Sequence, residues 1–158
     1  MIALPRRLIA CVVLALLLPA DLPALELTVG HVGIGIGNSA RLTGLRLNAV
    51  DAGVQRVIGI NATIWTPQPS PEAHLSGVIV GLVGHKAKRI DGVAFGGIGT
   101  TVREDIHGLA AGGYGVGARS VSGAAAGLAE VDLEGDLRGL GLAGGRLRVR
   151  GLTGVSLA

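Results

Sequence analysis

The side chains able to do acid–base, metal or nucleophilic chemistry are few and scattered. The four histidines, His31, His74, His85 and His107, fall in four separate stretches, and the single cysteine is Cys11. Zinc sites take His and Cys in close pairs, typically with about two to five residues between the ligands; no such pair is present. Glu104 and Asp105, or Asp132, Glu134 and Asp136, are oxygen ligands of the kind Ca²⁺ takes. The Gly-Gly-x-Gly-x-Asp unit of calcium-binding rolls is missing, so these carboxylates are read as solvated charge. Gly33-Ile34-Gly35-Ile36-Gly37 and Gly96-Gly97-Ile98-Gly99-Thr100 resemble phosphate loops only in glycine content. Neither has Gly-x-Gly-x-x-Gly ahead of a helix, and neither ends in Gly-Lys-Ser/Thr. Asn61-Ala62-Thr63 matches a glycosylation acceptor but sits inside a predicted strand. The sequence therefore assigns no catalytic, cofactor-binding or metal-ligating residue and predicts a protein that is not an enzyme and uses no cofactor.

What is organised instead is a repeat. An apolar residue, one variable residue and a glycine recur eight times: Leu42-Thr43-Gly44, Val57-Ile58-Gly59, Leu75-Ser76-Gly77, Ile90-Asp91-Gly92, Ile106-His107-Gly108, Val121-Ser122-Gly123, Leu137-Arg138-Gly139 and Leu152-Thr153-Gly154. The steps between copies are 15, 18, 15, 16, 15, 16 and 15 residues. A short period with a fixed glycine specifies an architecture. The repeat glycines Gly44, Gly59, Gly77, Gly92, Gly108, Gly123, Gly139 and Gly154 are expected to serve backbone geometry, through a positive φ or close approach of stacked neighbours.

The residues after each glycine alternate, as in Leu45, Leu47 and Ala49 against Arg46 and Asn48, or Val93 and Phe95 against Ala94 and Gly96. Period two is the pattern of a strand. The larger aliphatics, on into Leu109, Leu140, Leu142, Val155 and Leu157, are expected on the core face. The opposite face shrinks along the chain to Ala94, Gly96, Ala110, Gly112, Ala125 and Gly127, small enough for a second sheet, a partner or another copy to approach closely. Each copy then passes through a more polar half, such as Val131-Asp132-Leu133-Glu134, which reads as a second short strand. The only aromatics are Trp65, Phe95 and Tyr114, so the core must be thin and aliphatic.

Before the repeat, residues 1–24 have the order of a secretory signal peptide: Arg6 and Arg7, an apolar stretch from Leu8, then small residues with cleavage after Ala20 or Ala24. The apolar run Leu8–Leu18 falls short of the ~20 residues a membrane helix needs. Leu8-Ile9-Ala10-Cys11 has the letters of a lipoprotein box, but the apolar stretch follows the cysteine instead of preceding it. An exported protein results, placed in the periplasm, outer membrane or cell surface. Loss of Cys11 with the signal leaves no thiol for disulfides. The formal net charge of +3 does not argue for nucleic acid.

The expected domain plan is a signal peptide at 1–24, an opening or capping strand at 25–41, and an eight-copy repeat domain at 42–158. Thr66-Pro67-Gln68-Pro69-Ser70-Pro71 forms a Pro-rich insertion at 66–71. The fold class is all-β, a β-solenoid with 15–16-residue repeats; the alternative is an antiparallel meander or β-barrel of about eight strands. Alternating step lengths suit a meander, whose odd and even turns lie at opposite edges, and suit a solenoid whose coil is a double unit. The barrel version would act as an outer-membrane pore or anchor, so membrane association stays open. The last strand and the Ala/Gly face are the expected routes to self-association.

Leu75-Ser76-Gly77-Val78-Ile79-Val80-Gly81-Leu82-Val83 and Val121-Ser122-Gly123-Ala124-Ala125-Ala126-Gly127-Leu128-Ala129 resemble bacterial surface-repeat proteins, exported chains with repeats of the form Val-x-Gly-Leu-x-φ-Gly-φ-φ, where φ is apolar. Gln after the Gly-Leu pair and Asn after the last apolar residue are replaced here by Ile79 or Ala125 and by Gly84 or Glu130. The resemblance implies a surface or envelope scaffold with structural and interaction roles, and no catalytic residue.

Overall fold

The computed structural model describes residues 25–50, 52–65 and 72–158. The signal peptide expected at 1–24 and the Pro-rich insertion at 66–71 lie outside the described residues. The described chain is all-β: fifteen strands make a β-solenoid of eight coils. A hairpin, β1 (Leu25–Val29) and β2 (Val32–Ile36), precedes the coils. Long strands follow at β3 (Arg41–Asn48), β4 (Arg56–Thr63), β5 (His74–Gly81), β7 (Arg89–Gly96), β9 (Asp105–Gly112), β11 (Ser120–Gly127), β13 (Asp136–Ala143) and β15 (Gly151–Leu157). From coil 3 onward short strands return between them: β6 (Gly84–Ala87), β8 (Gly99–Val102), β10 (Gly115–Ala118), β12 (Glu130–Leu133) and β14 (Arg146–Arg148). The long strands and the hairpin form one ten-stranded sheet, and the short strands a five-stranded one.

Every long strand pairs in parallel with the next, with repeat glycine on repeat glycine, and the short strands also stack in parallel. Only β1 runs antiparallel to its neighbour. Parallel pairing of successive copies removes the antiparallel meander. A barrel requires a closed sheet, whereas the large sheet runs open from β1 to β15, which removes the barrel as well. The coil is one repeat and not a double unit. The step alternation has a local cause at the corner after each short strand: Lys88 and Arg119 stand there singly, while Arg103-Glu104 and Glu134-Gly135 occupy it in pairs. These corners stack on one another through backbone hydrogen bonds, such as Glu104 N–H to Lys88 O at 2.9 Å and Gly135 N–H to Arg119 O at 2.7 Å.

The core lies on the opposite face of the long strands from the one expected. Ile90, Ile106, Val121 and Leu137, two residues before each glycine, are fully buried, and so are Ala94, Ala110 and Ala125, two residues after it. Gly96, Gly112 and Gly127 follow on the same side. The larger apolar residues Val93, Phe95, Leu109, Leu140 and Leu142 face outward and are exposed. The Ala/Gly face, expected as a route to self-association, is covered by the short-strand sheet. The cause is the two-residue turn joining long strand to short strand. A Cβ at Gly96 or Gly112 would run into the backbone of Gly99 or Gly115, the first residue of the returning strand. In cross-section the long strands of coils 4 to 6 line a wedge, wide at Ile106 and closed at Gly112, and carry a large-to-small series that fits it. Each fully buried Ile or Leu at the wide end contributes about 1.5–3 kcal/mol.

The repeat glycines satisfy both expected reasons at once. From Gly44 to Gly154 they hold φ between +114° and +141°. A Cβ on each would collide with the carbonyl oxygen of the glycine one coil earlier. Gly33 in β2 begins the same row, beneath Gly44.

Candidate interaction face

The residues with chemical potential are held apart by this fold. His31 lies in the β1–β2 turn with φ +70°, and His74 is exposed at the start of β5. His85 is buried beneath β7, its Nε2 3.2 Å from the carbonyl oxygen of Phe95. His107 is on the outer face, its Nδ1 3.2 Å from Asp91. Asp132 lies 3.6 Å from Arg148 and Glu130 lies 3.2 Å from Arg146, on the outside of the short-strand sheet. Glu104 and Glu134 sit in corners, and Asp105 and Asp136 begin long strands. Among the described residues no three His, Cys, Asp or Glu side chains gather closely enough to hold a metal ion. A recess of about 320 Å³ at the corner is lined by Arg119, Ser120, Glu134, Gly135, Asp136 and Arg150, so its two arginines face two carboxylates. Asn61 of the glycosylation pattern is buried and accepts a hydrogen bond from Arg46 at 3.0 Å. Its amide is therefore turned away from any enzyme that would modify the folded chain.

The two outer surfaces of the solenoid differ sharply. Outside the short-strand sheet stand Lys86, Thr101, Gly117, Asp132 and Arg148, a narrow polar row. Outside the long-strand sheet run two apolar rows in strict register. One passes through Ile60, Val78, Val93, Leu109, Ala124 and Leu140, and the other through Ala62, Val80, Phe95, Ala111, Ala126 and Leu142. Phe95 is 50% exposed and Leu109 52%. Ile64, Leu82, Ile98, Tyr114 and Leu128 extend this surface around the turn. Eight coils at ~4.8 Å spacing make the band roughly 34 Å long. A continuous apolar surface of this size is larger than the scattered apolar residues usual on a monomer's surface.

The same face has a charged border where the long strands begin. Coils 1 to 4 carry Arg41, Arg56, His74 and Arg89, and coils 5 to 7 carry Asp105, Ser120 and Asp136, so the border is basic at one end of the solenoid and acidic at the other. Arg89 holds Asp91 at 3.1 Å, and Arg41 donates to Gln55 at 2.8 Å. Beside the insertion, Lys88 donates to Glu72 at 3.0 Å. That hydrogen bond and the opposite charge hold the Glu72 carboxyl below its ordinary value and the Lys88 ammonium above its own.

Period-two alternation reveals these outward rows in the sequence but does not say which face they are on. The usable signal is the run of glycines at 81, 96, 112 and 127, four copies deep, which marks the closed end of a wedge. Compared with family models, with curated proteins and with solved structures, the chain matches none.

Proposed function

We propose that this chain is an exported, non-enzymatic protein of the bacterial envelope or surface, a structural scaffold that works through its repeat faces. The observation that carries this reading is the flat apolar band outside the long-strand sheet, displayed on a frame whose eight coils are locked together by parallel hydrogen bonding and the glycine row. Such a frame presents many equivalent side chains at a fixed spacing, which suits extended contact and not the convergence of a few groups on one reacting atom. β15, at the edge of the large sheet among the described residues, offers a further surface for strand addition. The basic and apolar stretches of the first 24 residues support export. Fractionation with N-terminal sequencing tests the proposal. The expected result is a chain beginning after Ala20 or Ala24, recovered with the envelope or outside the cell and released by carbonate without detergent. An unprocessed chain retained in the cytosol would overturn it.

A further inference from the structure

We propose that the outer face of the long-strand sheet is a two-fold interface with a second copy of this chain, packed face to face with the solenoid axes antiparallel. The inference rests on the scaffold reading, which it deepens by naming the partner. Three observations carry it. The first is size. Eight long strands at ~4.8 Å spacing, each of about eight residues at ~3.3 Å, present roughly 900 Å², against the ~800 Å² that each partner brings to a standard stable interface. That area is made up of the two apolar rows, the charged border and between them a polar row that includes Ser76, Asp91, His107, Ser122 and Arg138.

The second is charge. When two such faces meet with strands running the same way, a two-fold axis reverses the order of coils, so coil 2 lies over coil 7 and coil 4 over coil 5. That operation sets the basic half of one border over the acidic half of the other. Arg56 comes opposite Asp136 of the partner subunit, and Arg89 opposite Asp105 of the partner subunit, each pair occurring twice. The opposite arrangement, with axes parallel, lays the charged border of one copy over the apolar turn residues of the other.

The third is volume. The same coil reversal places Phe95 over Ala111 of the partner subunit, Val78 over Ala124 of the partner subunit, and Leu142 over Ala62 of the partner subunit. In the row of Phe95 three of the four pairs set a large residue on a small one, whereas in the row of Val78 only that pair does, and Ile60 meets Leu140 of the partner subunit and Val93 meets Leu109 of the partner subunit. One row interdigitates at the ~10 Å separation of stacked sheets and the other packs aliphatic on aliphatic. These matches arise from different strands and hold for one common axis between β7 and β9.

Sedimentation equilibrium on the full chain tests the proposal, because Arg56 and Asp136 are separated by five coils, ~24 Å within one molecule, and can compensate only across a dimer. The expected result is a concentration-dependent dimer that Leu109→Asp weakens about 100-fold. Arg56→Asp alone weakens it about 10-fold, and Arg56→Asp with Asp136→Arg restores it to within about 3-fold. Both charged positions are exposed, and unchanged circular dichroism verifies that the variants fold. A wild-type monomer at ~100 µM, where even a weak dimer of micromolar affinity would be populated, overturns the proposal. So does failure of the double charge exchange to restore the dimer, an oligomer indifferent to Leu109→Asp (the result expected from pairing at the β15 edge), or a monomer that binds phosphatidylcholine vesicles through this face. A monomer recovered from the envelope overturns the dimer alone, and a dimer recovered from the cytosol overturns the location alone.

Discussion

Coils 1 and 2 are filled differently from the coils that follow, and the contrast shows what a solenoid core requires. In coils 4 to 6 the residues two and four places after the repeat glycine are Ala94 and Gly96, Ala110 and Gly112, Ala125 and Gly127. In coils 1 and 2 the same places hold Arg46 and Asn48, Asn61 and Thr63, all buried. The long strands are alike; the layer opposite them is not. Among the described residues no short strand returns over coils 1 and 2, and the described parts of the connections, 49–50, 52–55, 64–65 and 72–73, are irregular. Such backbone leaves amides that no ladder satisfies. One polar side chain reaches it, Asn38 accepting from the amide of Ala52 at 3.0 Å, and the others bond to one another: Arg46 donates to Asn38 and Asn61 at 2.9 and 3.0 Å, and Thr63 donates to Asn48 at 3.0 Å. Where the second sheet is present it satisfies its own backbone, and the place four after the repeat glycine is Gly in coils 3 to 6, with Ile79 or Ala two places before it.

Exchanging residues between the two regions breaks the contrast most directly. Gly112→Thr, which installs the coil 2 residue in coil 5, forces a Cβ into the backbone of Gly115 and is expected to cost about 4 kcal/mol. Urea denaturation reads the loss, and hydrogen exchange should show it concentrated in β7 to β11, because coils contact mainly their neighbours. Arg46→Met keeps much of the volume but removes the Arg46 hydrogen bonds to the buried Asn61 oxygen and to Asn38, which keeps the Ala52 amide, with an expected cost of about 2 kcal/mol; a melting temperature equal to that of the parent would contradict the role assigned to the polar layer. The reverse exchange, Thr63→Gly, meets no wall. It removes one hydrogen bond and loosens the strand, for about 1–2 kcal/mol, and a loss as large as that of Gly112→Thr would show that the regions are packed alike.

The smallest effect is expected at the seam between the two regions, where Glu72, beside the insertion, accepts from Lys88 at the first single-residue corner. The Glu72 pKa is lower in the folded chain than when unfolded, so the stability from this pair is present above the unfolded value and lost as pH falls through the folded one. Glu72 is exposed and Lys88 only half-buried, so a thermal melt at neutral pH should barely separate Glu72→Gln from the parent. Any difference should vanish under acid; one that grows there would reverse the sign.

Much of the scaffold was legible because it follows from spacing. The eight glycines, the two strand segments per copy and the aliphatic core without rings all come from local rules. The inner face was not, since alternation of Leu109 and Ala111 with Ala110 and Gly112 gives two apolar faces, and ordinary preference puts the larger one inside. Coil length misled for a different reason: one extra corner residue, Glu104 in one copy and Gly135 in another, imitates the alternation of a meander. The charged border of the candidate interface was invisible as a pattern, because Arg56 and Asp136 become related only once strands are stacked and a face is turned outward.

By itself, then, the sequence determined the period, the glycine row and the strand content, all set by backbone sterics within one copy and its neighbour. Tertiary structure alone decided which side faces water. The turn joining long and short strands brings the two sheets so close that the last inward place of the long strand in coils 3 to 6 holds only Gly, with no room for a Cβ. Volume overrode hydrophobicity there, and the larger aliphatics were left outside.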